Sequence, residues 1–101
     1  MTPEKKVQNE IINCLHKLAK TYPIYVERRN AGGFSYKKGI PDLYAIINGI
    51  HLEIEVKAPG GKLSVMQEKF RDKCEQLNIA WVCLDSTNDL QRIVDILYKE
   101  R

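Results

Sequence analysis

The sequence predicts a single α/β domain whose elements run helix, strand, strand, strand, helix, strand, helix. Three observations carry that expectation. Apolar residues recur at helical spacing in three segments, near the start, after Ser64 and near the end. Between the first two, short runs of Leu, Ile, Val and Tyr flank Asn48-Gly49, the dipeptide that most favours a two-residue hairpin turn because both positions tolerate positive φ. Ile79-Ala80-Trp81-Val82-Cys83-Leu84-Asp85 is nearly unbroken apolar, the mark of a strand covered on both faces and lying inside a sheet.

A chain of 101 residues has room for one domain, spanning 1–101, and at this size roughly two thirds of the unfolded surface can be buried. With 44% hydrophobic and 29% charged residues the composition is that of an ordinary globular protein, without repeats or low-complexity tracts. The apolar runs are far shorter than a membrane span, and Met1-Thr2-Pro3-Glu4-Lys5-Lys6 leads into no signal-peptide core, so a cytoplasmic protein is expected. Cys14, Cys74 and Cys83 are odd in number and widely spaced, which excludes a disulfide framework and a C-x-x-C motif, and all three read as reduced core residues. A net charge of +3 permits a polyanionic partner without demanding one.

Taken in order, Thr2 is suited to cap a helix with Pro3 at its first position, where a missing N–H costs nothing. That helix should run to about Lys20 and bury Val7, Ile11, Cys14, Leu15 and Leu18. Glu10 flanks the stripe, either as a solvated helix residue or as an acid aimed where the sheet meets the helix. After Pro23, Ile24-Tyr25-Val26-Glu27-Arg28-Arg29 reads as a strand with Ile24, Val26 and Arg28 on one side. The following 30–39 segment is too rich in glycine for regular structure. Arg28, Arg29, Lys37 and Lys38, with Phe34 and Tyr36, offer cations and stackable rings of the kind that handle a phosphodiester backbone; a solvated loop is the alternative.

A turn at Asn48-Gly49 sets the hairpin register. Ile47 then faces Ile50, Ile46 faces His51, Ala45 faces Leu52, Tyr44 faces Glu53, Leu43 faces Ile54 and Asp42 faces Glu55. Leu43, Ala45, Ile47, Ile50, Leu52, Ile54 and Val56 share an apolar face, and Asp42, Tyr44, His51, Glu53, Glu55 and Lys57 share the other. Opposed side chains lie about 5 Å apart at Cβ, where like charges repel unless something sits between them. A divalent cation between Asp42 and Glu55 is one solution, and an all-oxygen site suits Mg²⁺ or Mn²⁺. The other reading is a polar hairpin face simply solvated. His51 at the far end of that face, and His16, read as bystanders.

Ala58-Pro59-Gly60-Gly61-Lys62 must break the strand. Ser64 and Gln67 then form a capping box for a helix burying Met66, Phe70, Cys74 and Leu77. Lys62, Lys69 and Arg71 are surface cations that nucleic acid could meet. Asn88 or Ser86 caps a last helix with Leu90, Ile93, Ile96 and Leu97 on one face.

Pro41-Asp42, twelve residues, then Glu55-Val56-Lys57 resembles the PD-(D/E)xK nuclease signature, and Gly39-Ile40-Pro41-Asp42-Leu43 resembles its virus-type replication-repair (VRR-NUC) branch. The likeness spans the chain, since stand-alone members are single domains of this size. It implies a restriction-endonuclease-like core, a mixed sheet with helices on both faces. It implies one or two Mg²⁺ or Mn²⁺ ions held by Asp42, Glu55 and the backbone carbonyl of Val56, with Glu10 supporting the metal through water and Glu4 the weaker match. Lys57 would orient or deprotonate the attacking water, and Gln67, in a Leu-Ser-x-x-Gln context, would stand near the site. The implied activity is endonucleolytic hydrolysis of branched DNA such as Holliday junctions by a homodimer, in DNA repair or replication, encoded by a phage or a bacterium. A non-cleaving DNA-binding or assembly protein on the same fold is the rival, and an interaction domain with an acidic hairpin face a second.

Overall fold

Asn48 and Gly49 both take positive φ, 50° and 85°, as a tight hairpin turn requires. The computed structural model describes residues 1–29 and 39–100. Its elements are α1 (Pro3–Leu18), β1 (Ile24–Arg28), β2 (Leu43–Ile47), β3 (Ile50–Val56), α2 (Val65–Gln76), β4 (Ala80–Leu84) and α3 (Leu90–Glu100), in the expected order. The β2–β3 ladder pairs Ile47 with Ile50, Ala45 with Leu52, Tyr44 with Glu53 and Leu43 with Ile54, the register that the turn dictates.

The result is a four-stranded mixed sheet in the order β1-β2-β3-β4. The first three strands are antiparallel, and β4 runs parallel to β3 after the crossover through α2. Leu43, Ala45, Ile47 and Ile54 are fully buried on one face, packed beneath Ile11 and Leu15 of α1 and Leu90 and Val94 of α3. That face carries the hydrophobic core. On the opposite face stand Tyr44, Glu53 and Glu55, with α2 beside them through Gln67.

Several expectations are corrected. The β4 strand lies at an edge, not inside the sheet, and its Cys83 is exposed while Cys14 is half-buried and Cys74 buried. Neither half of the expectation holds, since β4 is at an edge and only its Leu84 is buried, Ala80, Trp81 and Val82 being half-buried. In α2 only Cys74 is buried, with Met66 and Leu77 exposed at 45% and 60%. This helix lies against the sheet's polar face, which offers little apolar surface to bury a stripe against. The buried line of α3 is Leu90, Val94 and Leu97, rotated away from Ile96. Ser86 accepts from the Asn88 N–H in the turn ahead of α3 and does not cap the helix itself. Helix α1 ends two residues earlier than Lys20 and buries Gln8 beside Val7. No helix among the described residues is long and apolar enough to cross a membrane.

Gly39 explains how α2 is docked. Its φ is +89°, and a Cβ there would fall 2.4 Å from the Met66 carbonyl oxygen and 2.6 Å from its carbon, inside the first turn of α2. The bare backbone lets Gly39 itself close against that turn. Gly60 has a similar φ of +83° but nothing within 4 Å of a built Cβ. In denaturant unfolding, Gly60→Ala should therefore cost only the backbone strain, about 1–2 kcal/mol. Gly39→Ala should cost a further ~1–3 kcal/mol for the clash.

Candidate metal centre

The sheet's polar face contains two carboxylates of β3 that are almost removed from solvent, Glu53 at 5% and Glu55 at 6% exposure. Strand alternation puts both on one face two residues apart, yet their surroundings differ completely.

Glu53 is saturated. Arg29 donates from Nη1 to its Oε1 and from Nη2 to its Oε2, both at 2.6 Å, and His51 Nε2 lies 2.5 Å from Oε2. The Arg29 guanidinium also sits 4.8 Å over the Tyr44 ring, which stacks on His51 at 4.9 Å. Burial works against ionisation of Glu53, but the hydrogen bonds from Arg29 and His51 outweigh it and hold the carboxyl below its usual range. The same hydrogen bonding raises Arg29 above the ordinary guanidinium value. His51 is thus no bystander in the sheet, and the Arg29 guanidinium is paired within it. The shared face of His51, Glu53 and Tyr44 is legible from strand alternation. The reach of Arg29 across from the end of β1 is not.

Glu55 is left half-satisfied. Its Oε2 accepts from Gln67 Nε2 at a long 3.3 Å, and its Oε1 is buried without a hydrogen-bond partner. Its pKa is raised to about 7, chiefly by burial; Lys57 pulls it down while Asp42 and Glu4 push it up. Asp42 is exposed just ahead of β2, one step beyond the last ladder pair, Leu43 with Ile54. Its carbonyl accepts from the Arg29 N–H at 2.7 Å. Lys57 is half-buried, and its N–H donates to the Leu84 carbonyl at 3.0 Å, extending the β3–β4 pairing up to the site. The Val56 side chain is in the core, which leaves only its carbonyl to take part.

Gln67 satisfies both of its readings. Its Oε1 accepts from the Ser64 N–H at 2.8 Å, its own N–H donates to Ser64 Oγ at 3.2 Å, and the remaining amide N–H reaches Glu55. The cap fixes the amide's orientation and so decides which Glu55 oxygen stays free. Glu10 makes no hydrogen bond or ion pair to Glu55. It is exposed and lines a groove with Lys6, Pro59 and Asp85. Glu4, four residues before the buried Gln8, is the α1 acid whose charge Glu55 feels. Arg28 is exposed and donates to Asn9 Oδ1 at 2.7 Å, and Lys62 is exposed ahead of α2. Phe34, Tyr36, Lys37 and Lys38 lie outside the described residues.

Among the described residues no three His, Cys, Asp or Glu side chains converge on one point as a metal cluster. The fit to a cation rests on the donor set of a few hard oxygens and on Glu55 Oε1, a buried acceptor that only a cation or donor would satisfy. Comparisons with protein-family models, curated proteins and solved structures return no match.

Because the folded pKa of Glu55 lies above its unfolded value of 4.5, the native state binds the proton more tightly. Its contribution to stability is therefore fully present below pH 4.5 and is lost as the pH rises to about 7. In EDTA, Glu55→Gln should match wild type near pH 4.5 and exceed it at pH 8 by about 1–2 kcal/mol, allowing for solvent screening. Urea unfolding at the two pH values measures the difference.

Proposed function

We propose that the chain is a metal-dependent, structure-specific DNA endonuclease of the PD-(D/E)xK superfamily, on a VRR-NUC-type core, cleaving branched DNA such as Holliday junctions. The observation that carries this reading is Glu55, a buried carboxylate with one partnerless oxygen, flanked by the charges of Asp42 and Lys57. Burying a carboxylate in this way is costly unless a cation compensates it. The free oxygen belongs to the Glu of the Glu55-Val56-Lys57 element, at the position the signature assigns to metal binding.

Asp42, Glu55 and the Val56 carbonyl would hold Mg²⁺ or Mn²⁺. Such an ion supplies Lewis-acid polarisation of a phosphodiester and acidifies a water. Lys57 stands beside Glu55 and bears the positive charge that offsets negative charge developing on the phosphorus oxygens. Its amine can also orient the attacking water or take its proton, which a guanidinium cannot do at neutral pH. Gln67 holds Glu55 Oε2 and leaves Oε1 for the ion. The exposed cations Arg28 and Lys62 extend positive charge along the surface for the DNA backbone. A domain this small grips a four-way junction best as a homodimer, one site to each of two strands.

The test is cleavage of end-labelled four-way junction, flap, fork and linear DNA in Mg²⁺ or Mn²⁺. Wild type should cut the junction in paired, symmetric nicks, and Glu55→Ala should not cut. Lys57→Ala and Lys57→Arg should each lose about 10²- to 10⁴-fold in rate. Light scattering should give a dimer mass with junction bound. Binding without cleavage on every substrate would replace this reading with a non-cleaving DNA-binding protein.

A further inference from the structure

The β2–β3 ladder stops at Leu43, so pairing with β3 does not reach the exposed Asp42, and its main chain is held from the β1 side. Two main-chain carbonyls accept from Arg29, one from its backbone N–H, which continues the β1–β2 pairing, and one from its guanidinium, which is the bond the side chain adds. The Arg29 N–H donates to the Asp42 carbonyl, and Arg29 Nη1 donates to the Pro41 carbonyl, each at 2.7 Å. We propose that Arg29 is the positioning residue for Asp42, setting the Pro41-Asp42 peptide against Glu55. This rests on the reading of Asp42 and Glu55 as the metal site.

The guanidinium can act as a reference point because it is itself immobilised. Glu53 takes both ends of the fork at 2.6 Å, the Tyr44 ring lies 4.8 Å from the guanidinium, and His51 also holds Glu53 through Oε2. Glu53 sits on the strand that carries Glu55, two residues before it and on the same face. Asp42 is therefore located relative to the backbone that carries its partner carboxylate. Lysine cannot reproduce this, since one ammonium lacks the planar fork that serves two Glu53 oxygens and a carbonyl together, and it does not stack on an aromatic ring in the same way. Residues that orient metal ligands in this indirect manner commonly alter metal affinity about 10- to 100-fold when replaced.

The obvious rival role is sheet stability alone, and Mn²⁺ binding separates the two. Thermal unfolding of the full chain would be followed across a Mn²⁺ titration for wild type, Arg29→Ala, Arg29→Lys and Arg28→Ala, because a ion bound only by the native state raises the midpoint. Wild type should shift, with Arg28→Ala shifting at the same or lower Mn²⁺. Arg29→Ala and Arg29→Lys should need at least about 10-fold more Mn²⁺ for the same shift. The alanine variant is the sharper case, because deleting a positive charge near the site would by itself tighten cation binding, opposite to the expected result. Wild-type Mn²⁺ dependence in both Arg29 variants would overturn the positioning role and leave the metal site standing. No shift in wild type would overturn the metal site and this role together. If Arg29→Ala does not fold, Arg29→Lys decides.

Discussion

The two-residue turn at Asn48-Gly49 is the constraint on which everything else depends. A slip of one residue in the β2–β3 register would move every side chain to the opposite face, placing Glu53 and Glu55 in the core and Ile54 against α2. With positive φ at both turn positions the register is held, and the apolar face is closed over by α1 and α3 with Leu43, Ile47 and Ile54 fully buried. The polar face acquires its chemistry as a consequence of that sorting.

Two glutamates on one strand, nearly equally buried, end with opposite titration behaviour. Glu53 spends both oxygens on Arg29 and His51 and stays ionised, whereas Glu55 has one long hydrogen bond and a bare oxygen and holds its proton to about pH 7. A buried ion pair of the first kind gains little net stability, because desolvation consumes most of the attraction. Its value here lies in geometry, since it ties the ends of β1 and β2 to β3. The second carboxylate is costly as it stands, because burial leaves one of its oxygens without a partner.

Helix α2 belongs to the site more than to the core. Gly39 packs against its first turn, and the Ser64–Gln67 cap directs one amide N–H at Glu55. Its exposed Met66 and Leu77 show how little of its placement derives from hydrophobic burial. Backbone contact and capping geometry hold the helix where a continuous apolar stripe would usually do so.

Local chemistry made much of this legible in the sequence. Element order, the hairpin register, the two faces of β2 and β3, the Thr2 and Ser64 caps and the shared face of Asp42, Glu55 and Lys57 all follow from turn preference, periodicity and spacing, which act over a few residues; Gln67 near Glu55 is implied only by the family resemblance. What only the tertiary structure decided involves partners distant in the chain. The edge position of β4, the face that α2 and α3 turn inward, the charge of Glu4 felt at Glu55, and the capture of Arg29 by Glu53 depend on which surfaces meet after folding. The sequence by itself determined which side chains share a strand face; the fold decided which of those carboxylates found a partner. Burial then gave that difference its energetic weight, because an unmatched charge costs little in water and a great deal inside a protein.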